Sequence, residues 1–180
     1  MPWSETGRRP WVLAQLRHRL DLASVRSVVD VGAGAGTWHT FLSPSLPKAR
    51  WTAIEIWEPY VSRFHLDERY DEVLVADVRV MDPLPAADLY LFGDVMEHML
   101  PIDAMGVWNR ARAVSSLLVL CLPVKHYPQG EIDGNPHEAH LADWDIPSVL
   151  DCFPRIVAHA GPPPVPPGQA AGAFIAEGSA

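Results

Sequence analysis

The feature that most constrains the fold lies at 28–36, where the run Val-Val-Asp-Val passes directly into Gly-Ala-Gly-Ala-Gly. A short β-branched run of this kind favours a buried strand. Glycine accepts positive φ and lets backbone approach a ligand closely, so three glycines within 32–36 predict a tight strand-to-helix turn that presents N–H groups. Gly32, Gly34 and Gly36, with Ala33 between them, are therefore candidate ligand contacts. The dinucleotide-binding fingerprint wants its third glycine one position later, where Thr37 stands. Asp30, just before the loop, would oppose a pyrophosphate and suits a ligand carrying an ammonium group.

Around this loop the apolar spacing predicts helices over 11–20, 37–42, 59–69, 101–114 and 146–152. Strands are predicted over 25–31, 51–56, 73–78, 88–93 and 116–122, with 155–160 and 173–177 as two closing strands. Strands alternating with helices imply an α/β fold, a parallel sheet covered on both faces. The 180 residues suffice for one domain with a real core, and no linker divides them. Within that single domain, 1–22 reads as an N-terminal helical segment and 123–144 as a long polar loop. The stretch 161–168 is too rich in proline for regular structure and reads as a stiff loop joining the last two strands, or else as the start of a disordered tail.

Charge and hydropathy narrow the partners. The net charge of −8 disfavours long nucleic acid, whose binding needs phosphate neutralisation. Arg8, Arg9, Arg17, Arg19 and Arg26 crowd the N-terminal segment, which reads as a solvated helix face, with an arm touching an anionic substrate as the alternative. The longest apolar run, 117–124, is too short to span a bilayer, and 1–10 holds no secretory apolar region, so a cytoplasmic protein without a membrane partner is expected. Cys121 and Cys152 read as reduced core thiols.

The motif at 28–36 resembles the first motif of the class I S-adenosylmethionine-dependent methyltransferases, and the resemblance continues in register through most of the chain. It implies a three-layer Rossmann-like domain with a seven-stranded, mostly parallel sheet ending in an antiparallel hairpin. It also implies that the glycine loop wraps the amino-acid half of S-adenosylmethionine. Glu55, ending the second predicted strand 19 residues after Gly36, falls where the family's acidic residue hydrogen-bonds the ribose hydroxyls, with Ile56 beside it. Asp77 and Val78 fall where the family places residues near the adenine. Asp94 falls where sulfonium and acceptor meet.

Asp94, Glu97 and His98 stand at i, i+3 and i+4, which puts them on one side if a helix starts there. The pattern resembles methyltransferases with an acidic-x-x-E-H motif after strand four, among them ubiquinone-pathway O-methyltransferases and small-RNA 2′-O-methyltransferases. Some of these bind a divalent metal there, with a histidine after strand five as fourth ligand. His140, four residues before Trp144, matches that histidine. Asp94, Glu97, His98 and His140 would suit manganese, iron, cobalt or zinc better than magnesium, which prefers oxygen alone. The same pattern also occurs in family members that bind no metal. There Asp94 would contact the cofactor's amino group, and His98, His126 or His140 would serve as general base.

The segment 123–144 is polar and aromatic, with turn signals at 129–130 and 133–136, and a loop of that length is uncommon without a function. His126, Tyr127, Gln129, Asn135, His137 and Glu138 are the candidate acceptor-binding residues, with Asp94, His98 and His140 as the candidate catalytic group. Together these predict methyl transfer to a hydroxyl, or secondarily an amine, of a small polar acceptor. Two rivals remain: a nicotinamide-dependent oxidoreductase, against which Thr37 argues, and a non-catalytic cofactor-binding module, against which the Asp94–Glu97–His98 group argues.

Overall fold

Residues 7–162 and 171–180 are described in the computed structural model. The expectations for 1–6 and for the Pro-rich stretch beyond residue 162 lie outside them. Twelve elements run in the order α1 (Arg9–Arg19), β1 (Ser27–Val31), α2 (Thr37–Leu42), β2 (Arg50–Glu55), α3 (Glu58–Arg63), β3 (Glu72–Val75), β4 (Ala87–Gly93), α4 (Pro101–Ala113), β5 (Ser115–Pro123), α5 (Ile146–Cys152), β6 (Ile156–Ala160) and β7 (Ala171–Glu177).

The strands form one seven-stranded sheet in the order β3-β2-β1-β4-β5-β7-β6. The β1, β2, β3, β4 and β5 neighbours are parallel, while β7 runs antiparallel to both β5 and β6. The two closing strands are thus the antiparallel pair expected from sequence, with β7 inserted between β5 and β6.

Alternation along the strands sorts the core into two layers. Tyr90 and Phe92 of β4 and Leu118, Leu120 and Leu122 of β5 pack with Trp108 of α4, Trp144 and Phe153. Leu89 and Leu91, with Leu117, Val119 and Cys121, face the other way onto Val12 and Leu16 of α1 and Trp38 and Leu42 of α2. Both cysteines are free thiols. Among the described residues no helix is long and apolar enough to cross a membrane.

One predicted helix departs from expectation. The helix predicted over 59–69 stops at Arg63, because His65 takes a left-handed backbone (φ 51°) before a 3-10 turn at Leu66–Glu68. No helix starts at Asp94 either. Asp94 is itself left-handed (φ 55°), a 3-10 turn covers Met96–His98, and α4 begins only at Pro101, whose fixed φ suits a first helical position. β3 ends at Val75, so Asp77 lies in the turn beyond it.

Candidate functional site

The strand order reverses between β1 and β4, and in open α/β sheets ligands bind outside the carboxyl ends of the strands at such a point. A cleft, partly open to solvent, lies there. Its wall takes Gly32 and Gly34 from the loop after β1, Glu55 from the end of β2 and Ile56 just beyond it, and Asp77, Val78 and Arg79 from the turn after β3. Asp94 and His98 join from beyond β4, and Asn135, His137 and Glu138 from beyond β5.

The glycine loop is built by backbone. Gly32, Gly34 and Gly36 all have positive φ (63°, 51° and 64°). At Gly32 a Cβ would sit 2.6 Å from Val95 Cγ2, so the close approach itself demands glycine. Gly36 caps α2, and its carbonyl, with that of Ala35, accepts from the Arg69 guanidinium. The structure places Gly32 and Gly34 on the cleft wall, whereas Ala33 and Gly36 shape the turn behind it.

Glu55 fastens this loop to β2. Its carboxylate accepts from the Gly34 N–H (2.9 Å) and the Trp57 N–H (2.9 Å). Burial raises its pKa despite those two hydrogen bonds. Asp30 is placed otherwise than its sequence position implied. It is 1% exposed, stands off the cleft wall and accepts a 2.6 Å hydrogen bond from the Tyr70 hydroxyl. Burial pushes its pKa up to about 7. Its alternation along β1 points the side chain into the core beneath the loop, on the α2 side of the sheet. Asp77 is forked by Arg79, whose guanidinium donates to both of its oxygens (2.8–3.0 Å). Those hydrogen bonds hold Asp77 below the usual carboxylate range.

At the other end of the cleft, Glu97, His98 and His140 each offer a donor atom within 4.8 Å of the others; Asp94 is not part of this group. Glu97 is 1% exposed, and neither of its oxygens has a hydrogen-bond partner among the described residues. Burial and the charge of Asp94 raise its pKa well above the usual range. His98 Nδ1 lies 3.1 Å from the Ala139 carbonyl and His140 Nδ1 lies 2.6 Å from the Tyr127 carbonyl. A carbonyl only accepts, so both rings carry the proton on Nδ1 and keep a lone pair on Nε2. Burial lowers His98 to about 4 and also lowers His140, so both are neutral near pH 7. His98 is on the cleft wall, and Glu97 and His140 stand behind it.

The candidate acceptor residues divide. Asn135, His137 and Glu138 line the cleft. Gln129 instead holds the segment together, donating to the Glu138 carbonyl (2.7 Å). Tyr127 is 39% exposed and contributes its carbonyl to His140. His126 faces solvent in a pair with Asp143 (2.8 Å). Sequence reasoning missed Trp57, Tyr60 and Arg79. The available signal was an aromatic pair at i and i+3 immediately after Glu55, and an arginine two residues after Asp77.

No family model matches the chain, and no curated protein sequence does. Solved structures do. The N-terminal domain of EvdMO1, with SAH bound, superposes with a TM-score of 0.69 at 14% identity, covering 98% of this chain and 83% of that one. The chain has the class I methyltransferase fold. The 1,6-didemethyltoxoflavin-N1-methyltransferase of Burkholderia thailandensis, solved with 1,6-didemethyltoxoflavin and S-adenosylhomocysteine, aligns at a TM-score of 0.68 and 18% identity over 98% of this chain and 80% of its own. The N-methyltransferase NodS of Bradyrhizobium japonicum aligns at 0.65 and 13% identity over 96% and 97%. The class I methyltransferase fold therefore spans nearly all of this chain, and its topological switch point coincides with the cleft.

Proposed function

We propose that this chain is an S-adenosylmethionine-dependent methyltransferase acting on a hydroxyl of a small polar acceptor, and that 1–180 works as one catalytic domain. The observation that carries the reading is Glu55, a buried carboxylate on the cleft wall that already accepts from the Gly34 loop. The residues fit the cofactor. Glu55 would hold the ribose hydroxyls, Ile56, Asp77 and Val78 the adenine, and Gly32, Gly34 and Asp94 the amino-acid end. The bound cofactor supplies an electrophilic methyl group, and this chain's part is to orient an acceptor oxygen and exclude water. Neighbours solved with SAH support methyl transfer as the reaction.

A divalent metal fits Glu97, His98 and His140. The unpartnered buried carboxylate and two Nε2 lone pairs, each ring fixed through Nδ1 by a carbonyl, form a mixed oxygen–nitrogen donor set. That set suits manganese, iron or zinc better than magnesium. The ion would lower the pKa of an acceptor hydroxyl. Without it, His98, neutral and on the cleft wall, would take the hydroxyl proton, with His140 beside it (ring centroids 4.8 Å).

Incubation with methyl-labelled S-adenosylmethionine and a panel of vicinal diols and primary amines, with and without Mn²⁺, tests the acceptor class. Label in diols, enhanced by Mn²⁺ and lost in His140→Ala, is expected. Label confined to amines would overturn the hydroxyl assignment, and enhancement that survives in His140→Ala would overturn the metal.

A further inference from the structure

The segment after β5 does more than approach an acceptor. Its tip is a two-residue turn at Asp133–Gly134, both with positive φ, closed by reciprocal backbone hydrogen bonds between Ile132 and Asn135. Asn135 then caps the 3-10 turn Pro136–Glu138 through the His137 N–H. Gln129 ties the base, since its side chain donates to the Glu138 carbonyl and its carbonyl accepts from the His140 N–H. The result is a self-supported flap.

This flap meets one face of the β2–α3 corner. Trp57, Tyr60 and Arg63 recur at intervals of three, so they share a side. Trp57 meets the His137 ring edge-to-face at 6.0 Å. The Tyr60 hydroxyl donates to Glu138 at 2.9 Å in a buried setting. Arg63 pairs with Asp133 at 2.8 Å. The corner is the continuation of the strand that ends in Glu55, and His137 lines the same cleft as Ile56 and Asp77. The flap therefore faces the nucleoside end of the cleft. Its base is held by backbone, the Leu141 and Ala142 N–H groups donating to the Glu97 carbonyl (2.8 and 3.1 Å), whereas the ties to α3 run through side chains, and the Arg63–Asp133 pair is about half exposed on both sides, a class of contact that breaks readily.

Resting on the methyltransferase reading above, we propose that residues 129–138, hinged on the fixed base at 139–142, form a gate over the nucleoside half of the cofactor. Tyr60–Glu138 and Arg63–Asp133 latch it, and His137 and Glu138 act on the cofactor rather than on the acceptor. Cofactor enters and S-adenosylhomocysteine leaves only when the latch opens. A gate makes a kinetic signature that a fixed wall does not: weakening the latch speeds both directions.

The test is surface plasmon resonance of S-adenosylhomocysteine on the immobilised full chain, comparing wild type with Tyr60→Phe, Arg63→Ala and the double variant. Thermal melts confirm that each variant is folded. The gate predicts that association and dissociation rates both rise, at least fivefold in the double variant, with a smaller change in Kd. Arg63→Ala, a change at a residue off the cleft wall, should show the same pattern more weakly. A faster dissociation with unchanged association would overturn the gate in favour of a fixed wall. Unchanged rates in all variants would return the segment to the acceptor. Absence of S-adenosylhomocysteine binding in wild type would instead overturn the underlying cofactor reading, and the gate with it.

Discussion

The two walls of the cleft are made differently. The wall after β1 is backbone: two left-handed glycines with a third behind them, a carboxylate receiving amide N–H groups, and a Cβ-sized space already filled by Val95. The wall after β5 is side chain: Asn135 on an amide, Glu138 on a phenol, Asp133 on a guanidinium. A backbone wall is fixed by φ and ψ and tolerates almost no substitution. A side-chain wall can be re-cut residue by residue without disturbing the sheet. The first therefore suits a ligand common to a whole fold, and the second suits discrimination and movement.

The sharpest way to break the comparison is Gly32→Val. It combines a strained positive φ with a clash on Val95, and roughly 4 kcal/mol of destabilisation is expected, with loss of S-adenosylhomocysteine binding. Thermal melts and calorimetry read both.

Asp30 comes next. Its folded pKa, about 7, lies above the ordinary 3.8, so the folded state holds the proton more tightly. Stability from this group is present below pH 3.8 and is lost as pH rises through 7. Wild type should lose about 3 kcal/mol relative to Asp30→Asn between pH 5 and pH 8, because asparagine cannot ionise. Parallel melting curves at the two pH values would contradict the burial of that carboxyl.

On the side-chain wall, Asn135→Ala removes one cap and should cost about 1 kcal/mol or less while leaving the sheet intact, seen as a small shift in the melt. The smallest effect belongs to His126→Ala. Its pair with Asp143 stands in solvent, off the cleft, so S-adenosylhomocysteine affinity should stay within about twofold. A larger change would put His126 back among the ligand-binding residues.

The backbone wall was legible in sequence for a physical reason. Its information is local: β-branched residues feeding a strand, then glycines where φ must be positive, then Glu55 at the end of the next strand. The strand alternation that sorts Leu89 from Tyr90 is equally local. What escaped depends on contacts across sequence. Asp30 finds Tyr70 forty residues away, so its position before the loop could not show that it turns inward. Tyr60 finds Glu138 at a separation of 78 residues, so the flap's tie to α3 left no trace in either segment. At Asp94 the i, i+3, i+4 spacing pointed to a helix, yet the left-handed turn and 3-10 segment bring Glu97 and His98 together with His140 by another route. Residue types alone therefore brought Glu97, His98 and His140 into view, while the backbone route that gathers them was not written in their spacing.

The central claim is that the cleft binds S-adenosylmethionine with Glu55 on the ribose. Calorimetric titration of S-adenosylhomocysteine into wild type and Glu55→Ala tests it most directly. Removing a charged hydrogen-bond acceptor costs roughly 1.5–3 kcal/mol, about a ten- to hundredfold loss of affinity. One site per chain in wild type, weakened by that factor in a variant that still melts cooperatively, is the predicted result. No binding by wild type, or equal binding by the folded variant, would contradict it.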